Sequence, residues 1–92
     1  MKRGIKVAVV GSGYVGMSLA VLLSQRHQVV VLDVDPQRVD LINMGKSTIG
    51  DPDIERLLEQ CDLNLSATCE KHIAYASADF VIVATPTNYD PV

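Results

Sequence analysis

The chain has 92 residues, enough for one small domain built on a single core. Apolar residues make up 48% and charged residues 21%, a mix that excludes disordered and fibrous classes. A formal charge of −3 gives no electrostatic reason to expect nucleic acid. The apolar run from Ile5 to Val10 behind Met1-Lys2-Arg3 is too short for a signal-peptide core or a membrane span, so cytoplasmic location is the default expectation.

In chain order, Ile5 to Val10 reads as a buried strand stopped by Gly11. A helix is expected over 15–26, with Val15, Leu19, Leu22 and Leu23 as its apolar stripe. Val29-Val30-Val31-Leu32 is a second strand, ending at Asp33. Asp35-Pro36 starts the next helix, because Asp35 can cap free N–H groups and Pro36 loses no hydrogen bond at the first position. That helix runs through Val39 and Ile42 to a stop near Gly45. Asp51-Pro52 repeats the signal and opens a helix with Ile54, Leu57, Leu58 and Cys61 on one face.

Leu63 to Thr68 alternates as a half-exposed edge strand does. Glu70 to Ala78 is a weak, alanine-rich helix, and Phe80 to Ala84 is a fully apolar strand closed by Thr85-Pro86-Thr87. The order β-α-β-α-α-β-α-β implies an α/β fold: a doubly wound parallel sheet in three αβα layers, with strand order 3-2-1-4 and a cleft between strands 1 and 4. Such a fold normally continues with more strands, so the expectation is a partial domain over 1–92. The sheet edge beside strand 4 would leave room for a second copy. Cys61 and Cys69, without a CxxC or histidine cluster, are expected to be reduced thiols and not metal ligands.

The chemistry concentrates in Gly11-Ser12-Gly13-Tyr14-Val15-Gly16. A lone GxGxxG is a weak signal, but here a strand precedes it, a helix follows, and an acid ends the next strand. Gly11 makes the tight turn, Gly13 lets backbone approach a pyrophosphate, and Gly16 lets the helix pack close to the strand. Asp33, seventeen residues past Gly16, is placed to accept hydrogen bonds from the adenosine ribose and to repel the 2′-phosphate of NADP, which favours NAD. Asp35 competes for that role, although helix capping accounts for it more economically. Arg38 is placed to stack on adenine or pair with a phosphate, or to be a plain surface arginine. Its presence leaves some room for NADP. Thr85-Pro86-Thr87 lies on the lip where open α/β sheets bind ligands, or simply ends the strand.

Val7 to Gly16, Leu32-Asp33-Val34-Asp35-Pro36, Ile42-Asn43-Met44-Gly45-Lys46-Ser47 and Ala84-Thr85-Pro86-Thr87-Asn88-Tyr89-Asp90 together closely resemble the amino-terminal NAD-binding, Rossmann-type part of the UDP-glucose 6-dehydrogenases, in the UDP-glucose/GDP-mannose dehydrogenase family. The resemblance implies that the cofactor NAD is held by Gly11, Ser12, Gly13, Tyr14, Val15, Gly16, Asp33, Arg38 and Thr87. It also implies a parent oxidoreductase that converts UDP-glucose to UDP-glucuronate in two NAD-dependent steps, through a thioester on a cysteine. That cysteine and the UDP-sugar pocket belong to later segments of the family, so this piece is expected to bind cofactor and not to catalyse on its own. Siblings acting on GDP-mannose or a UDP-N-acetylhexosamine remain alternatives. So does a non-catalytic nucleotide-sensing module, against which the Thr-Pro-Thr loop and Tyr14-Val15-Gly16 speak.

Overall fold

The computed structural model describes residues 4–60 and 62–84. Its elements are β1 (Lys6–Val10), α1 (Tyr14–Leu23), β2 (Gln28–Leu32), α2 (Pro36–Asn43), α3 (Pro52–Gln60), β3 (Leu65–Thr68), α4 (Lys71–Tyr75) and β4 (Phe80–Val83). The strands form one parallel sheet in the order β3-β2-β1-β4. Progress along the sheet therefore reverses beside β1, where doubly wound sheets place their ligand crevice.

The central strands are buried on both faces, which is why they read as unbroken apolar runs. On one face Val7, Val9, Val29 and Val31 pack with Met17, Ala20 and Val21 of α1, Val39 and Ile42 of α2, and Ile54 of α3. Full burial of such side chains stabilises by about 1.5–3 kcal/mol each before the entropy of ordering them is subtracted. On the other face Ala8, Val30 and Leu32 meet Ala74 of α4 in a thinner layer.

The structure keeps only part of the expected stripe of α1: Leu23 packs against the core and Leu19 is half-buried. Val15 and Leu22 are more than half exposed, whereas Gly16, Met17, Ala20 and Val21 face the sheet. The helix is apolar nearly all round, so periodicity alone does not choose its inward side. The choice is made by Gly16: a Cβ built there would lie 2.2 Å from the carbonyl oxygen of Gly11. Only a glycine permits this approach, and with Gly16 inward the residues beside it turn inward as well. The helix also ends at Leu23, three residues earlier than expected.

The Asp-Pro starts behave as expected. Asp35 accepts the Gln37 N–H at 2.9 Å, and Asp51 accepts those of Asp53 and Ile54 at 2.9 and 3.2 Å. At its other end α2 is closed by Gly45 N–H to the Ile42 carbonyl and Lys46 N–H to the Leu41 carbonyl, the paired bonds of a Schellman turn. The last residue of α2 then reaches the outer edge of β3. Asn43 Nδ2 donates to the Ala67 carbonyl at 3.1 Å, and Asn43 Oδ1 accepts the Ala67 N–H at 2.8 Å.

One further expectation needs correction. The helix expected over 70–78 is confined to Lys71–Tyr75, because Ser77 adopts φ 59°, a left-handed conformation that a continuing helix excludes. β4 is apolar but not enclosed: Phe80, Val81 and Val83 are 58%, 49% and 70% exposed, since β4 borders the sheet among the described residues. Among those residues no helix is long and apolar enough to cross a membrane.

Replacing Gly16 with Ala is expected to destabilise the fold by at least about 1–3 kcal/mol, the usual cost of overpacking, because the obstructing atom is backbone. Urea unfolding checks this, and an unchanged midpoint would contradict the close approach of α1 to β1.

Candidate functional site

β1 and β2 lie side by side, with Val10 opposite Leu32, so the residues that follow them emerge together at the carboxyl end of the sheet. The β1 strand is followed by Gly11, whose φ of 103° is a turn conformation that favours glycine. Its N–H donates to the Leu32 carbonyl at 2.8 Å, continuing the ladder for one more rung. Ser12, only 1% exposed, is thereby delivered to Asp33.

Ser12 gives Asp33 two hydrogen bonds. Its backbone N–H donates to Oδ2 at 3.1 Å and its hydroxyl to the same oxygen at 2.5 Å. The other oxygen, Oδ1, accepts the Asp35 N–H at 2.9 Å. Arg38 Nη1 donates to the Ser12 hydroxyl at 3.3 Å, and Arg38 Nε lies 3.9 Å from Asp35 Oδ2. From the connection between α2 and α3, the Thr48 hydroxyl donates to the Ser12 carbonyl at 2.6 Å. Partial burial pushes the Asp33 pKa up, but the Ser12 hydroxyl, the Asp35 N–H, the Arg38 charge and the Ser12 N–H together outweigh it. The net result is a carboxyl held below its ordinary value.

The helix that follows the loop is bare at its start. Its N-cap is Gly13, which brings no side chain, and no acid sits in the first turn. Free backbone N–H groups and the positive end of the helix dipole therefore face outward, which suits an anion. A Cβ at Gly13 would meet nothing within 4 Å. In contrast to Gly16, this glycine answers no packing need among the described residues, and the space before it is open.

These groups line an open groove of about 440 Å³. Gly11, Ser12 and Gly13 form its floor, and Asp33, Val34 and Arg38 one side. Val10 and Leu32 add the strand ends, and Lys71 and Tyr75 of α4 the opposite side. The structure thus brings together the expected Gly11, Ser12, Gly13, Asp33 and Arg38. Tyr14 and Val15 stand at the start of α1 with exposed side chains outside this lining, where backbone amides are what they offer. Gly16 lies beneath, and Thr87 falls outside the described residues. Sequence reasoning missed Thr48, Lys71 and Tyr75. Lys71 and Tyr75 are four apart, the spacing of one helix face, but a five-residue helix carries no period to reveal it. No group of three His, Cys, Asp or Glu residues able to hold a metal ion occurs among the described residues.

Comparison with known proteins agrees with this fold. The model for the NAD-binding domain of the UDP-glucose/GDP-mannose dehydrogenase family matches residues 5–91. A UDP-glucose 6-dehydrogenase of Streptococcus pneumoniae is 50% identical over 86 residues, 94% of this chain and 22% of that protein. A GDP-mannose 6-dehydrogenase of Pseudomonas aeruginosa is 39% identical over 88 residues, covering 90% of this chain and 20% of its own length. Among solved structures, a ternary complex of GDP-mannose dehydrogenase from P. aeruginosa superposes with a TM-score of 0.77 at 36% identity. That match covers 86% of this chain and 19% of the solved one. The chain spans about a fifth of the length of the curated relatives it matches.

Because the pKa of Asp33 is lowered in the folded state, its ionised form contributes fully above the ordinary aspartate value of about 3.9 and is lost as pH falls through the lower folded value. A carboxyl-carbon NMR titration is expected to place its midpoint below that of a free aspartate. Ser12→Ala should raise that midpoint by removing the strongest favourable bond. A midpoint at or above the free value would contradict the hydrogen-bond assignment.

Proposed function

Since this chain belongs to the UDP-glucose/GDP-mannose dehydrogenase family as its NAD-binding domain, we propose that residues 1–92 form the amino-terminal part of that domain in a UDP-glucose 6-dehydrogenase. The observation that carries the site is the pairing of an uncapped helix start at Gly13 with an ionised, pre-oriented Asp33 beside it. Pyrophosphate would be held by the backbone of Gly11 to Gly16, and the adenosine ribose by Asp33, with Arg38 beside it. Thr87 would face the cleft. Bound NAD supplies the acceptor for hydride. The chain's own residues supply binding and orientation, and the hydroxyl-oxidising groups would lie in other segments of the protein.

The oxygens of Asp33 are already engaged by donors on the protein, so the carboxylate is fixed before any ribose arrives. A negative charge fixed in that place disfavours a 2′-phosphate, which supports NAD over NADP. The higher identity to the streptococcal UDP-glucose enzyme than to the GDP-mannose enzyme supports UDP-glucose as the substrate. The reading includes a cytoplasmic enzyme whose nucleotide sugar binds outside this chain.

Two measurements test this. The full-length protein is expected to reduce NAD with UDP-glucose and not with GDP-mannose, followed by NADH absorbance, and the reverse preference would overturn the substrate assignment. Gly13→Ala is expected to lower the unfolding midpoint only slightly, through the poorer N-cap, while weakening NAD by about tenfold or more, because the added methyl would stand in the open space where the pyrophosphate is proposed to lie. Unchanged affinity in calorimetry would move the pyrophosphate elsewhere.

A further inference from the structure

Lys6 is an odd residue for the first strand of a buried sheet. It is only 9% exposed, and lysine is almost never buried without partners. By strand alternation it shares its face with Ala8 and Val10, the face covered by α4. Its ammonium donates to the carbonyl oxygens of Ile73, at 3.1 Å, and Ala76, at 2.5 Å. These are acceptors at the carboxyl end of α4, where a cation also complements the helix dipole. The Lys6 backbone adds two more ties: its N–H donates to Asp79 Oδ2 at 2.8 Å, and its carbonyl accepts the Asp79 N–H at 2.8 Å. A helix of five residues has little stability of its own, so α4 depends for its position on this anchor together with the packing of Ala74 against the sheet.

The two anchored carbonyls bracket Tyr75. Helical side chains lean back toward the amino end of their helix, so Tyr75 is directed away from Lys6 and toward the groove it lines. Tyr75 is 41% exposed, leaving area free for a ligand to cover. The groove beside it presents Val10, Leu32 and Val34, an apolar setting that fits a planar base more than a charged group.

Resting on the NAD reading above, we propose that α4 is the adenine-side wall of the site, with Tyr75 as the base contact and Lys6 as the positioning residue that holds Tyr75 in place. Lys6 touches no ligand. It acts on the adenosine half of NAD through the register of one short helix.

Calorimetric titration of the full-length protein with ADP-ribose tests this. Tyr75→Ala is expected to weaken binding about tenfold, in line with base–aromatic stacking, while Tyr75→Phe stays within about twofold because the ring and not the hydroxyl makes the contact. Lys6→Met is expected to weaken ADP-ribose several-fold alone, yet add nothing in the Tyr75→Ala background. A merely structural role would not produce that non-additivity. If Lys6→Met does not fold, Lys6→Arg, which keeps the charge but displaces the donor, serves in the same cycle. Unchanged affinity in Tyr75→Ala, or full additivity with the Lys6 variant, overturns the proposal. Absence of ADP-ribose binding by the unaltered protein would instead overturn the nucleotide reading on which it rests.

Discussion

The carboxylate of Asp33 and its grip on Ser12 organise this end of the molecule. One oxygen takes two donors from the loop after β1, and the other takes the amide that begins the approach to α2. Two segments 21 residues apart, the loop after β1 and the turn after β2, are thereby fixed against one another around a single ionised group. Each donor is worth more to a charged acceptor than to a neutral one, which keeps the proton off as well as the loop in place. Thr48 adds a tie from behind by taking the Ser12 carbonyl, so both polar ends of the Ser12 backbone are engaged.

The glycine loop separates two kinds of necessity. Gly11 and Gly16 answer to the fold, one through its backbone angle and the other through contact of helix on strand. At Gly13 an added Cβ would meet nothing within 4 Å among the described residues. That division suits a binding loop: a rigid base that tolerates no side chain, and an open rim at the start of a helix.

Much of this was legible in the sequence. The Asp-Pro helix starts and the placement of Asp33 beside the glycine loop follow from signals adjacent in sequence or one crossover apart, whereas the strand order, which pairs Val7 of β1 with Phe80 of β4, follows from the alternation of strands and helices along the chain. The inward face of α1 was misread in part, although the sequence held the cue. A Gly16 assigned to close packing is incompatible with a stripe centred on Val15 and Leu22, and the packing role wins because backbone cannot yield. Thr48, Lys71 and Tyr75 were invisible for a different reason. Their partners lie 36 or more residues away or across the groove, and neither periodicity nor a motif encodes such a meeting. Lys6 carried a visible anomaly, a charge inside a strand, but its target on α4 emerges only once the crossover is folded.

The Asn43 amide at the rim of β3 has a consequence for how this sheet can associate. A side chain that both donates to and accepts from Ala67 imitates one rung of a neighbouring strand, and so occupies the place where a stray segment would begin to pair. The β3 margin is thus sealed at its centre, whereas β4 presents an apolar margin with no such plug among the described residues. Recruitment of a stray strand is discouraged on the β3 flank as a result, so a residue at the end of a helix acts as a guard against misassembly.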